Sequence, residues 1–138
     1  MTIAQGRQPA LMPALVLAYL GDAVYELSVR SHLVAMGYSK VDLLHKQAIK
    51  YVNAETQAKV LRAVAGTLSD EEAAVVRRGR NAKSGSAPKN ISISEYRHGT
   101  ALESLIGYLY LSGREDRISE IIDIAIGIVS AAEEKNKK

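Results

Sequence analysis

An all-α fold of about six helices is predicted by three features of the sequence. Apolar residues recur at helical spacing through most of the chain, as in Ile118, Ile121, Ile122, Ala125, Ile126 and Val129. β-branched residues never alternate with polar ones over a useful length, so strands have no support. Helix-capping and helix-stopping residues divide the chain at short intervals. With 138 residues the chain has room for one core but is short for two, so residues 1–138 are expected to form a single compact domain.

Each helix has its own local reason. Pro13 suits a first helical turn, where its missing N–H would have had no partner. Apolar residues then run to Met36, with Gly37 as the stop. Ser39 and Asp42 resemble a capping box that opens a helix over roughly 40–51. Asn53 can cap the next, which carries Val60, Leu61 and Val64 and ends near Gly66. Ser69 with Glu72 forms a better capping box, and Asp70, Glu71 and Glu72 also complement the helix dipole. Residues 79–92 are rich in Gly, Ser, Lys and Pro and are expected to be a mobile basic loop. Ser94 is expected to cap a fifth helix ending at Gly113, and a sixth runs from about Glu115 to Ala132 before a frayed tail.

Composition narrows the function. The chain has no Cys, which excludes disulfides and thiolate metal sites and suits a reducing cytoplasm. Its start lacks the apolar core of a signal peptide, and no apolar run approaches the roughly 20 residues needed to span a bilayer. A cytoplasmic protein without a membrane role is expected. His32, His45 and His98 are scattered without metal-ligand spacing, which argues against zinc. The net charge is only +3, but no acid lies between Glu72 and Glu95, where Arg77, Arg78, Arg80, Lys83 and Lys89 all fall. A basic segment on a mildly charged chain points to a polyanion, most often nucleic acid.

Two carboxylates interrupt otherwise apolar helices: Asp22 in Leu15–Leu27 and Glu103 in Thr100–Leu111. An unpaired charge under apolar cover costs several kcal/mol, so folding alone rarely places one there. Two such acids meeting in space would repel unless a hard divalent cation sat between them. The competing explanation pairs each acid with a buried arginine, for example Arg30 or Arg97. Gly21, Gly99 and Gly107 lie close to the acids, each costing about 1 kcal/mol of helix stability relative to Ala. Tight helix contact or close approach of a substrate would explain them.

The stretch Leu20-Gly21-Asp22-Ala23-Val24, preceded by Ala18-Tyr19, resembles the signature helix of ribonuclease III endonuclease domains. Thr100-Ala101-Leu102-Glu103-Ser104-Leu105-Ile106-Gly107 resembles that family's second acidic motif, D-x-x-E-A-L-I-G. The short chain, with Arg80-Asn81-Ala82-Lys83 and Tyr96-Arg97-His98-Gly99-Thr100 and no double-stranded RNA-binding domain expected after the last helix, is most similar to the Mini-ribonuclease III branch. Two departures stand out, since the family pattern has Glu at Ala18 and Asp at Thr100.

The resemblance implies a Mg²⁺-dependent endoribonuclease that cuts double-stranded RNA to a 5′-phosphate and a 3′-hydroxyl and matures the precursor of large-subunit (23S) ribosomal RNA. It implies Asp22 and Glu103 as catalytic metal ligands and a homodimer with two opposed sites. A ribosomal protein that shapes the precursor is a further implied partner. Because two family acids are replaced, at most one tightly held Mg²⁺ is expected, with Thr100 and Glu26 as supporting residues. Arg77, Arg78, Arg80, Lys83, Lys89 and Arg97 are the candidates for phosphate contacts. Leu15, Tyr19, Tyr25 and Leu33 are candidates for the dimer contact, with burial in the core as the competing role, which is also expected of Tyr108 and Tyr110. The replaced acids keep open a second class, a non-catalytic RNA-binding module on the same fold.

Overall fold

The structure, a computed structural model, describes residues 8–82 and 87–136. After a 3-10 turn at Pro9–Leu11 come α1 (Ala14–Ala35), α2 (Val41–Val52), α3 (Ala54–Val64), α4 (Asp70–Asn81), α5 (Ile93–Leu111) and α6 (Glu115–Asn136). No strand occurs among the described residues.

α5 is the central element. From Ala101 to Leu109 every residue except Glu103 is buried, as expected of a helix packed on all sides. α1, α3, α4 and α6 surround it, giving Leu17, Tyr25, Val29 and Leu33, then Val60, Leu61 and Val64, then Val75, and finally Ile118, Ile121 and Ala125 to one core. The two halves of the site ride on α1 and α5, so the closeness of that pair decides the chemistry. Bare backbone brings them together. A Cβ on Gly21 would stand 1.7 Å from the carbonyl oxygen of Glu103, and one on Gly107 would stand 2.0 Å from that of Leu17. The glycines near the acids therefore serve helix–helix contact.

Local signals explain most boundaries. Pro13 precedes α1, and Gly37 and Gly113 adopt φ of +100° and +74°, the left-handed conformation that ends a helix at little cost in glycine. Asn53 accepts from the Thr56 N–H at 2.8 Å, and Ser69 and Glu72 form both bonds of their capping box. Three boundary expectations are corrected. α2 opens at Lys40 without a side-chain cap, so Ser39 and Asp42 form no box. Ser92, rather than Ser94, caps α5 by accepting from the Glu95 N–H, while Ser94 Oγ lies 3.5 Å from His98 Nδ1. Helix α6 continues to Asn136 rather than stopping at Ala132.

The basic segment is also shorter than expected, because α4 extends to Asn81. Gly79 is buried against α5, where a Cβ would meet Ser104 Oγ at 2.8 Å and Ala101 Cα at 2.9 Å. That glycine serves helix packing. Residues 83–86, including Lys83, lie outside the described residues.

One buried ion pair ties the periphery together. Arg117 of α6 donates from Nε to Glu72 Oε2 at 3.2 Å and from Nη2 to the Thr67 carbonyl at 3.1 Å. Glu72 also accepts from the Ser69 N–H at 3.0 Å, so the pair is hydrogen-bonded on both sides. No helix of the described residues is long and apolar enough to cross a membrane.

Candidate active site

The α1–α5 crossing puts Asp22 and Glu103, 81 positions apart in the chain, into direct side-chain hydrogen-bonding contact. The cover differs from expectation. Asp22 is solvent-exposed, because the strip of α1 holding Tyr19, Asp22 and Ala23 faces outward, and Glu103 is half-buried. Burial pushes the Glu103 carboxyl up to about 8, the charge and hydrogen bond of Asp22 push it the same way, and a hydrogen bond from Gln57 opposes the rise. Without another positive charge, a proton held by Glu103 and donated to Asp22 relieves the repulsion between the two acids.

Neither acid forms an ion pair among the described residues, which removes the arginine explanation. Arg30 pairs with Glu26 at 2.7 Å, and Arg97 is exposed on α5. Glu26 therefore stands one turn beyond Asp22 with its charge met by Arg30. Thr100 Oγ1 donates to the Tyr96 carbonyl at 3.2 Å, and Thr100 lines a cavity of about 490 Å³ beside Glu103. Gln57, Gly99, Glu95 and Asn90 also line it. Ala18, where the family pattern carries an acid, is buried.

The donor set fits a hard cation. Two carboxylates in contact, with the Thr100 hydroxyl lining the cavity beside them, offer hard oxygen donors of the kind such a cation takes. Among the described residues no group of three or more His, Cys, Asp or Glu side chains is arranged to hold a metal. Asp22 and Glu103 would thus be the protein's carboxylate ligands, with water and substrate oxygens completing the shell.

The basic candidates separate. Arg77 and Arg80 on α4, Lys89 in the following turn and Arg97 on α5 are exposed. Arg78 is not: its guanidinium donates to the carbonyls of Met12, at 3.0 Å, and Ala10. It holds the entry to α1, with two of its five donors spent on backbone. The apolar candidates on α1 split as well. Tyr25 and Leu33 are buried, whereas Tyr19 is 86% exposed and Leu15 is also exposed. Tyr108 is buried with its hydroxyl on Glu71, and Tyr110 is half-buried.

Gln57 is the site residue that sequence reasoning missed. Its side chain, on α3, is 5% exposed, and Nε2 donates to Glu103 Oε2 at 3.4 Å. The signal was a glutamine three and four positions ahead of Val60 and Leu61, on the stripe that becomes the buried face of α3.

A helical fold built on an α1–α5 crossing with one acid from each helix is the architecture of an endonuclease domain, and the family model described as the ribonuclease III domain matches residues 15–114. The chain belongs to the ribonuclease III family, in the branch of the Mini-ribonuclease 3 proteins. It is 58% identical over 123 residues to Mini-ribonuclease 3 of Brevibacillus brevis, covering 89% of this chain and 92% of that one. It is 46% identical over 121 residues to Mini-ribonuclease 3 of Symbiobacterium thermophilum, covering 88% and 93%. A crystal structure of a protein from Fusobacterium nucleatum superimposes with a TM-score of 0.77 at 34% identity, covering 83% of this chain and 93% of that one. The chain is accordingly an endoribonuclease, in a family that is generally metal-dependent.

Proposed function

We propose that this endoribonuclease cleaves double-stranded RNA with Mg²⁺, held by Asp22 and Glu103, and leaves a 5′-phosphate and a 3′-hydroxyl. The contact between the two acids carries the reading, because α1 and α5 each bring one carboxylate to the same crossing and neither is ion-paired among the described residues. The bound cation supplies Lewis-acid activation of water and neutralises charge at the scissile phosphate. The residues of the chain do the rest. Glu103 and Asp22 would hold the cation as carboxylates, Asp22 from the side open to solvent and substrate, and Thr100 lines the adjoining cavity.

Grip on RNA falls to Arg77, Arg80, Lys89 and Arg97, with Lys83 beside them in sequence. Duplex RNA is read mainly by shape and by backbone and 2′-hydroxyl contacts, which surface cations can supply. One site cuts one strand, so cutting a duplex calls for two copies of the chain. The exposed apolar side chains of α1, Leu15, Val16, Tyr19 and Leu27, offer a surface for the second copy. The biological substrate in this reading is the precursor of large-subunit ribosomal RNA, presented with help from a ribosomal protein.

Incubation of duplex RNA with the protein in Mg²⁺ or in EDTA tests the chemistry. Asp22→Asn and Glu103→Gln should each lower cleavage by at least about 10³-fold, the equivalent of several kcal/mol, with RNA binding nearly unchanged. Cleavage by either variant at close to the parent rate, or undiminished activity in EDTA, overturns the assignment. Duplex RNA bound but never cut by the parent protein would favour the non-catalytic module instead.

A further inference from the structure

Gln57 has no evident packing reason to be where it is. The buried face of α3 consists of Gln57, Ala58, Val60, Leu61 and Val64, and the amide is its one polar side chain. A hydrophobic residue of similar length would fill the space without the cost of burying an amide. The bond to Glu103 at 3.4 Å is long and weak by itself. A second observation gives it meaning. Gly99 lies one turn before Glu103 on α5, and a Cβ there would stand 2.7 Å from Gln57 Oε1. α5 thus gives up about 1 kcal/mol of helix propensity at a buried position, and the space it leaves is filled by this amide. The Gln57 side chain is seated at both ends, with its carbonyl against the Gly99 backbone and its amino group on Glu103.

We propose that Gln57 is a positioning residue: seated in the gap left by Gly99, it holds the Glu103 carboxylate in register with Asp22, so that the two acids bind a divalent cation as one ligand pair. The proposal rests on the reading of Asp22 and Glu103 as the cation ligands. Gln57 itself touches Glu103 rather than the reacting atoms. A neutral amide suits this role, because it donates to a carboxylate without adding charge to the site.

The test measures Mn²⁺ binding by electron paramagnetic resonance on the metal-stripped full chain without RNA, then kcat and KM on duplex RNA. Gln57→Met keeps length and apolar volume but removes the amide. Gly99→Ala reaches the same end from α5, since the clashing atom is the free end of a flexible side chain that can swing away while the helices stay in place. Both variants should melt near the parent temperature, bind Mn²⁺ on the order of 10- to 100-fold more weakly, and lose kcat with little change in KM. The double variant should be no worse than Gln57→Met alone, because both remove one interaction. Parent-like Mn²⁺ affinity in Gln57→Met, with weakened affinity in Asp22→Asn, overturns the proposal and leaves the ligand reading intact. Parent-like affinity in Asp22→Asn and Glu103→Gln overturns both. Loss of the folded state in both Gln57→Met and Gly99→Ala would assign the amide to the core and also overturn it.

Discussion

Replacing Gly21 by alanine probes how the fold holds its two acids. The added Cβ would stand 1.7 Å from the Glu103 carbonyl oxygen and 2.7 Å from its carbonyl carbon, where ordinary contact begins near 3.4 Å. Neither atom belongs to a side chain that can turn aside, so α1 and α5 must part by roughly 1.5 Å in an interior packed to crystal-like density. Two effects compete. Alanine improves helix propensity by about 1 kcal/mol. Against that, overpacking a tight interior costs about 1–3 kcal/mol and occasionally more, and backbone against backbone belongs at the upper end. Buried contacts of Leu17, Leu102 and Ile106 loosen together as the helices move apart.

The net loss is about 2 kcal/mol, which at roughly 3–4 °C per kcal/mol for a chain of this size lowers Tm by about 6–8 °C. Activity should fall further than stability. The displacement moves Asp22 relative to Glu103 by a similar distance, and a misplacement of about 1 Å can cost on the order of 10²-fold in rate. Thermal melts by circular dichroism and initial rates on duplex RNA in Mg²⁺ measure both. A Gly21→Ala protein that melts at or above the parent temperature and cleaves at the parent rate would refute the argument from helix contact.

Three further outcomes are expected. Removing Arg77, Arg80 and Lys89 together should flatten the dependence of log affinity on log salt by roughly 0.7–0.9 for each phosphate no longer neutralised, whereas Arg78→Ala should leave that slope alone and lower Tm; the reverse pattern in a salt titration would put the RNA elsewhere. Glu72→Gln leaves the buried Arg117 with only the exposed Glu120 as counter-charge and should cost about 1–3 kcal/mol in urea unfolding. Burial pushes the Glu72 carboxyl up, but the Ser69 N–H and the Arg117 guanidinium hold it below its ordinary 4.5, so its contribution is present above pH 4.5 and lost as pH falls through the lower folded value; an unfolding free energy flat with pH over that acid range, relative to Glu72→Gln, would contradict this. Tyr19→Lys should give a folded monomer by sedimentation from a dimeric parent, and a variant that still dimerises would move the contact off α1.

Helix class and order were legible because the punctuation is local. Asn53, the Ser69 and Glu72 box, Gly37 and Gly113 act on the residues beside them, and each is found in that role. The start of α5 was legible too, in principle. Ser92 stands three residues before Glu95, the same spacing as Ser69 and Glu72, and choosing Ser94 overlooked it. Facing was harder. α1 is apolar on more than one side, so periodicity alone does not separate Tyr19 from Tyr25. What separates them is the docking of Gly21 on α5, which selects the row Leu17, Gly21, Tyr25, Val29 and Leu33 for burial.

The same limit runs through the site. Asp22 and Glu103 stood out because a charge interrupts an apolar helix at each, a pattern readable one residue at a time, although only Glu103 proves to be partly buried. Arg78 and Gln57 have roles set by partners 66 and 46 positions away, and no local rule distinguishes an arginine on a carbonyl from an arginine free for phosphate. The glycines were the intermediate case. Their cost was visible in the helix, and the structure gives each a specific neighbour: Glu103 for Gly21, Leu17 for Gly107, Gln57 for Gly99 and Ser104 for Gly79. All four glycines bring other chain atoms up to α5 or to the helix facing it, around the one residue between Ala101 and Leu109 that is not buried. Gly79 and Gly99 seat α4 and Gln57 against α5. The helix propensity given up at Gly21 and Gly107 and the half-buried Glu103 carboxylate therefore have one explanation, an α1–α5 crossing tight enough to set two acids in contact.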